Sequence, residues 1–229
     1  METYKFSPSL MCMDLVHFKE QVEILNNRAD FYHVDIMDGH FVKNITLSPF
    51  FIQQLKKVSK IPIDAHLMVE NPQDFIEMAM DAGADFISLH EETINGKSFR
   101  LIDYIKGKGK KFGVVLNPAT RLENIMHYIQ RVDKITVMTV DPGFAGQKFI
   151  PEMLEKIRHL KELKKNNCYE YLITVDGACN KNTFKQLSEA GAEEFIFGSS
   201  GLFNLNEDLS KSWELMLDQF NSCVNRTVN

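Results

Sequence analysis

Three short stretches carry residue types that could do chemistry. In YHVDIMDGHF (residues 32–41) His33 and Asp35 stand two residues apart, and in IDAHLMV (residues 63–69) Asp64 and His66 repeat that interval. Residues two apart on an extended chain share a face, so each pair would present an imidazole and a carboxylate together. A further acid, Asp176, closes ITVDG (residues 173–177). His33, Asp35, His66 and Asp176, gathered from three segments, form a nitrogen and oxygen donor set for one divalent metal ion such as Zn, Mn, Fe, Co or Mg. Asp35 and Asp176 would reach a bound substrate from opposite sides. That suits removing a proton from one face of a carbon and returning one to the other. A carbon acid beside a ketone is weak, so the base needs positive charge near the oxygens to stabilise an enediolate.

Each residue also has a plainer use. An Asp-Gly pair makes turns, which competes with the catalytic reading of Asp176 and accounts for Asp38 before Gly39. His17, His127 and His159 fall on predicted helices and read as ordinary helix residues, while His40 and His90 stay open. Met37 and Met68 sit at strand ends on the faces of these groups, and Met138 lies near the end of another strand on the face of Thr136. They read either as core filler or as an apolar ring shielding the reacting carbon from water.

These residues need a scaffold that brings distant segments to one place. The chain repeats a unit eight times: a short β-branched or apolar run, a loop, then an amphipathic helical stretch. Strands are predicted at 4–11, 31–36, 63–69, 85–89, 111–116, 134–140, 170–175 and 193–197. Helices are predicted at 15–27, 49–57, 73–81, 97–106, 121–130, 151–165, 181–189 and 209–220. In the first helix Leu15, Phe18, Val22 and Leu25 make one apolar stripe. DAGAD (81–85) and EAGAE (189–193) each stop a helix at a glycine and restart as a strand. Regular alternation implies parallel strands with helical crossovers. Eight units at this length predict a single-domain eight-unit parallel (β/α) barrel of the TIM type over residues 1–229, ahead of an open doubly wound sheet.

On such a barrel the acids and imidazoles stand at the strand ends, where sites belong. Three neighbouring loops suit an anion. They are TVDPGFAGQKF (139–149) with Gly143, Phe144, Ala145 and Gly146, then Gly177 and Ala178, then FGSSGLF (197–203) with Gly198, Ser199 and Ser200. Exposed amides at a helix start hold phosphate, and no arginine lies in these loops. Lys148 is expected to be solvated.

SPSLMCMDL (7–15), HVDIMDGHFVKN (33–44), HLMV (66–69), MTVDPGFAGQKFIPEML (138–154) and VDG (175–177) resemble the ribulose-phosphate 3-epimerase family, with likeness from about Phe6 to Phe203. The resemblance implies a metal held by His33, Asp35, His66 and Asp176, acid–base catalysis by Asp35 and Asp176, and substrate contacts from Ser9 and His66. It places phosphate against residues 143–146, Gly177, Ala178 and residues 198–200. Within the family, TLSPFF (46–51), ETINGKSFRLID (92–103), VDGACN (175–180) and GSSGLF (198–203) resemble most the branch acting on D-allulose 6-phosphate. Pentulose members usually carry NPGFGGQ and VDGG, where this chain has DPGFAGQ and VDGA. The expectation is therefore C3 inversion between D-allulose 6-phosphate and D-fructose 6-phosphate. The alternative is D-ribulose 5-phosphate to D-xylulose 5-phosphate. A metal-dependent hydrolase gives no use to the opposed carboxylate, and a phosphosugar-binding module gives none to the metal-type residues.

The bulk composition fits this reading. Hydrophobic residues make 44% and charged residues 25%, ordinary for a soluble globular chain. A formal net charge of −5 disfavours nucleic acid as a partner. No secretory start or membrane-length apolar run is evident, and Cys12, Cys168, Cys179 and Cys223 are scattered. The expectation is a cytoplasmic protein with free thiols, in which the N-x-T triplets at Asn44 and Asn225 occur by chance. Its partner would be a small sugar phosphate, without membrane contact, and it would form a homo-oligomer.

Overall fold

The computed structural model describes residues 4–224. In chain order its elements are β1 (Lys5–Pro8), α1 (Phe18–Leu25), β2 (Tyr32–Asp38), β3 (Ile45–Thr46), α2 (Pro49–Lys56), β4 (Ile63–Met68), α3 (Gln73–Ala82), β5 (Phe86–His90), α4 (Glu91–Ile94) and α5 (Ser98–Gly107). Then follow β6 (Lys111–Leu116), β7 (Lys134–Met138), α6 (Met153–Asn167), β8 (Leu172–Asp176), α7 (Phe184–Ala190), β9 (Glu194–Phe197) and α8 (Leu209–Val224).

Local signals set the boundaries. Ser48 accepts from the Phe51 amide and Pro49 opens α2, a capped start with the proline where its missing N–H costs nothing. Helices α3 and α7 stop where DAGAD and EAGAE predict, at Gly83 (φ 108°) and Gly191 (φ 116°). Only a residue without a Cβ adopts that conformation freely.

The strands form one curled sheet in the order β1-β9-β8-β7-β6-β5-β4-β2-β3, parallel except for the β2–β3 pair. A parallel bridge between Ser9 and His33 links the chain after β1 to β2, at the other end of the parallel set. The two faces pack differently. Ala65, Leu67 and Val34 join the large apolar cluster beneath the helices. Met37 and Met68 pack apart from it with Val42, and Met138 with Val115 and Val140. Strand parity has therefore separated the outward apolar residues from an inward set that faces the site.

Some elements depart from expectation. The stretch predicted as a helix at 121–130 is two 3₁₀ turns, Leu122–Ile125 and Ile129–Arg131. Buried Leu122, Ile125 and Tyr128 recur every third residue, which matches three residues per turn, and Ile129 is buried beside Tyr128. Leu15 leaves the predicted stripe and is 54% exposed, because Asp14 caps a separate 3₁₀ turn at Leu15–His17 while Val22 and Leu25 stay buried. The first strand ends at Pro8, and a 3₁₀ turn at Leu10–Cys12 occupies its predicted end. All four cysteines are free. Asn44 donates to the Gly143 carbonyl at 2.7 Å, holding a loop; the Asn225 triplet lies outside the described residues. No helix among the described residues is long and apolar enough to cross a membrane.

Candidate active site

Parallel pairing sets β2 against β4 with Asp35 beside His66 and Met37 beside Met68. Asp176 comes from the end of β8, whose partner at that level is Met138 of β7. The curl brings these strands together. His33, Asp35, His66 and Asp176 each offer one ligand atom, and these atoms lie within 4.8 Å of one another. Asp35 Oδ1 is 3.2 Å from His33 Nε2 and 3.0 Å from His66 Nδ1. Asp176 Oδ2 is 3.6 Å from both of those nitrogens, which are themselves 3.1 Å apart. Ser9 Oγ donates to the other oxygen of Asp35 at 2.6 Å.

The electrostatics follow from burial. Desolvation opposes charge on Asp35, but His33 and His66 outweigh it and hold its carboxyl well below the usual range. Burial likewise opposes charge on His33. The Asp35 charge and hydrogen bonds to Asp176, Asp35 and Asp64 overcome it and push His33 well up. The cluster therefore calls for positive charge at its centre.

A divalent cation fits these residues. Each imidazole turns one nitrogen toward the shared point and has the other occupied: His33 Nδ1 lies 3.2 Å from Asp64 Oδ2, and His66 Nε2 lies 2.8 Å from His90 Nε2. Such outer partners set the tautomer and orientation of a ligating ring. Two imidazole nitrogens and two carboxylate oxygens suit a transition ion. Asp64, on the same face as His66, thus supports His33, which could serve as a ligand. His90, open in the sequence, stacks on His66 with ring centroids 4.9 Å apart, and burial pushes its pKa down to about 4. His40 is exposed and stays in the turn, where Asp38 accepts from the amides of His40, Phe41 and Glu70.

Above the cluster lies a cleft with about 580 Å³ of free space, including its open mouth. Ser9, Asp35, Asp176 and the three methionines Met37, Met68 and Met138 line its floor and sides. Gly143, Phe144, Ala145 and Gly146 line it from the loop after β7. Gly177, Ala178, Gly198, Ser199 and Ser200 complete the rim from the ends of β8 and β9. Every residue expected at the substrate is in this wall except His66, which lies in the cluster beneath. At Gly177 (φ 107°) a Cβ would come within 2.6 Å of Val140, so this close approach requires glycine. Among the described residues no lysine or arginine lines the cleft, so an anion there would rely on amides and hydroxyls. Lys148 is exposed and outside the wall.

Sequence reasoning missed Met11, Cys12, Val140, Asp141, Pro142, Gln147, Cys179 and Ile196 in the wall. Parity offered a signal for two of them: Val140 follows Met138 by two residues, and Ile196 follows the buried Glu194 by two.

Acids and imidazoles on the inner face of parallel strands, with Asp176 at the carboxyl end of β8, lie beneath glycine-bearing loops as in an enzyme site of the (β/α) kind. The model of the Ribulose-phosphate 3 epimerase family matches residues 5–203. Ribulose-phosphate 3-epimerase of Bacillus subtilis is 40% identical over 198 residues, 86% of this chain and 91% of that one. The Helicobacter pylori protein of the same name is 39% identical over 195 residues, covering 85% and 89%. The cytoplasmic isoform from Oryza sativa is 40% identical over 200 residues, 86% of each chain. The chain belongs to the ribulose-phosphate 3-epimerase family, and its class is isomerase. Among solved structures, KGPDC from Streptococcus mutans superposes with a TM-score of 0.69 at 13% identity, covering 96% of this chain and 98% of that one. The 3-hexulose-6-phosphate synthase of Salmonella typhimurium gives 0.66 at 16%, covering 95% and 99%. These two likenesses concern the fold alone.

Proposed function

We propose that the protein inverts C3 of a ketose phosphate, interconverting D-ribulose 5-phosphate and D-xylulose 5-phosphate. The carrying observation is the convergence of His33, Asp35, His66 and Asp176, with ligand atoms within 4.8 Å of one another, under a cleft that both aspartates line. The relatives' shared name supports the five-carbon substrate. The six-carbon pair expected from the sequence becomes the second reading, favoured by one feature. Asp141, Ala145 and Ala178 line the cleft at the three departures from the pentulose pattern, and Ala178 holds φ 50° despite its methyl group.

His33, Asp35, His66 and Asp176 would hold a divalent metal ion, which supplies positive charge that stabilises an enediolate. Asp35 would take the C3 proton on one face and Asp176 return one on the other, with roles exchanged in reverse. Ser9, donating to Asp35 Oδ2, fixes the orientation of that carboxylate. Met37, Met68 and Met138 would keep water from the reacting carbon, and the rim at residues 143–146, 177–178 and 198–200 would bind phosphate. A closed eight-unit (β/α) barrel in one domain over residues 1–229 belongs to this reading, supported by the Ser9–His33 bridge. So does cytoplasmic residence, supported by the rice isoform's name and the free cysteines. Exposed Val16, Ile45 and Phe50 support a homo-oligomer.

Proton NMR in D₂O tests the proposal, using the metal-loaded protein with D-ribulose 5-phosphate and separately with D-allulose 6-phosphate. Pentulose inversion with deuterium entering at C3 is expected to be the faster. Faster hexulose inversion would move the substrate to the second reading and keep the chemistry. Absence of exchange and conversion for both, with metal bound, would overturn the epimerase function.

A further inference from the structure

Beneath the ligand atoms, the inner face of the sheet is charged where such interiors are ordinarily packed with branched apolar residues. Lys134 of β7 is fully buried and donates to Asp64 Oδ2 at 3.0 Å and to Glu194 Oε1 at 3.0 Å. Glu194 also accepts from Ser7 and, at 2.7 Å, from Thr174 Oγ1. Asp64 Oδ1 accepts from Ser88 Oγ at 2.6 Å. Gly113 of β6 makes room for this last bond, because a Cβ there would collide with the Ser88 hydroxyl. The Asp64 oxygen that Lys134 holds is the one facing His33 Nδ1 at 3.2 Å.

We propose that Lys134, clamped between Asp64 and Glu194, is a positioning residue for the metal ligand His33. It holds Asp64 as the acceptor for His33 Nδ1–H, so that Nε2 keeps its lone pair for the metal ion. The inference rests on the metal-dependent reading above. Fold stability alone does not account for the triad, since buried ion pairs can often be replaced by apolar residues of similar volume without loss. The arrangement is also directional. Two carboxylates against one ammonium leave excess negative charge behind His33, which enriches the imidazole as a ligand.

The test uses the full chain, stripped with chelator, as wild type, Lys134→Met and Glu194→Gln. Co²⁺ affinity is read by competition with a chromophoric chelator, and the His33 tautomer by ¹H–¹⁵N correlation of the imidazoles in the metal-free protein at alkaline pH, where the ring is neutral. Lys134→Met is expected to lose about 10–100-fold in Co²⁺ affinity, the range for outer partners of metal ligands, and to shift His33 toward the Nε2–H tautomer. Glu194→Gln should move both readouts the same way by less. Folded variants with wild-type affinity and tautomer, even with lowered melting temperature, would overturn the inference. If Lys134→Met does not fold, Glu194→Gln decides: a shift supports the inference and wild-type values overturn it. A wild type that binds no Co²⁺ would instead overturn the metal-dependent reading and the inference with it.

Discussion

Replacing Asp176 by asparagine tests the proposed division of proton transfer between Asp35 and Asp176 with little change in shape. Asp176 Oδ2 stands 3.6 Å from His33 Nε2 and from His66 Nδ1, and its side chain is 15% exposed at the cleft, against 4% for Asp35. The amide removes the carboxylate proposed as acid–base group and metal ligand, while the Asp35 contacts to Ser9, His33 and His66 remain. A positioned acid or base contributes about 10²–10⁴-fold, or about 3–5 kcal/mol of transition-state stabilisation. Inversion should fall by about that factor at saturating metal. The two epimers should also part company in D₂O. The one whose C3 proton faces Asp35 should still exchange with solvent without inverting, and the other should neither exchange nor invert. NMR of each epimer separately, with metal occupancy measured alongside, checks this. Inversion within about tenfold of wild type would refute the assignment of Asp176, because that loss lies below the range for general acid–base catalysis. Loss of exchange from both epimers at full metal occupancy would refute the division of roles between the aspartates.

Other perturbations address separate parts of the site. Ser9→Ala removes a buried hydrogen bond to a carboxylate, worth about 1.5–3 kcal/mol, so kcat/KM should fall about 10–100-fold in steady-state assays at saturating metal. His33 is held well above its ordinary pKa in the metal-free cluster. Below that raised pKa it carries a proton that metal binding must displace, so calorimetry at pH 7 in buffers of differing ionisation heat should show proton release. Release should vanish as pH rises past the His33 pKa. Ala178 holds φ 50°, a conformation costing a residue with a Cβ about 1–2 kcal/mol. Ala178→Gly should raise thermal stability by up to about 1 kcal/mol and shift the ratio of pentulose to hexulose turnover toward the pentulose.

Much of the scaffold and of the site was legible in the sequence because it depends on local periodicity. The interval of two put His33 with Asp35 and Asp64 with His66 on shared faces, and strand parity is a property of any extended chain. The glycines of DAGAD and EAGAE marked helix ends because αL geometry is a property of single residues. Helix 121–130 failed on the same ground, since apolar spacing near three or four does not by itself separate an α-helix from successive 3₁₀ turns. What lay beyond reach was which inward faces meet. Asp176 reaches His33 and His66, Lys134 lies between Asp64 and Glu194, and His90 stacks on His66 only once the sheet has curled. Lys134 and Glu194 begin their strands and could pass for solvated ends. Their burial follows from the interior they enter, where each charge finds a partner that is distant along the chain. The residues proposed for the chemistry were therefore legible in sequence pattern, and the distances that bring them together were set by the curl of the sheet.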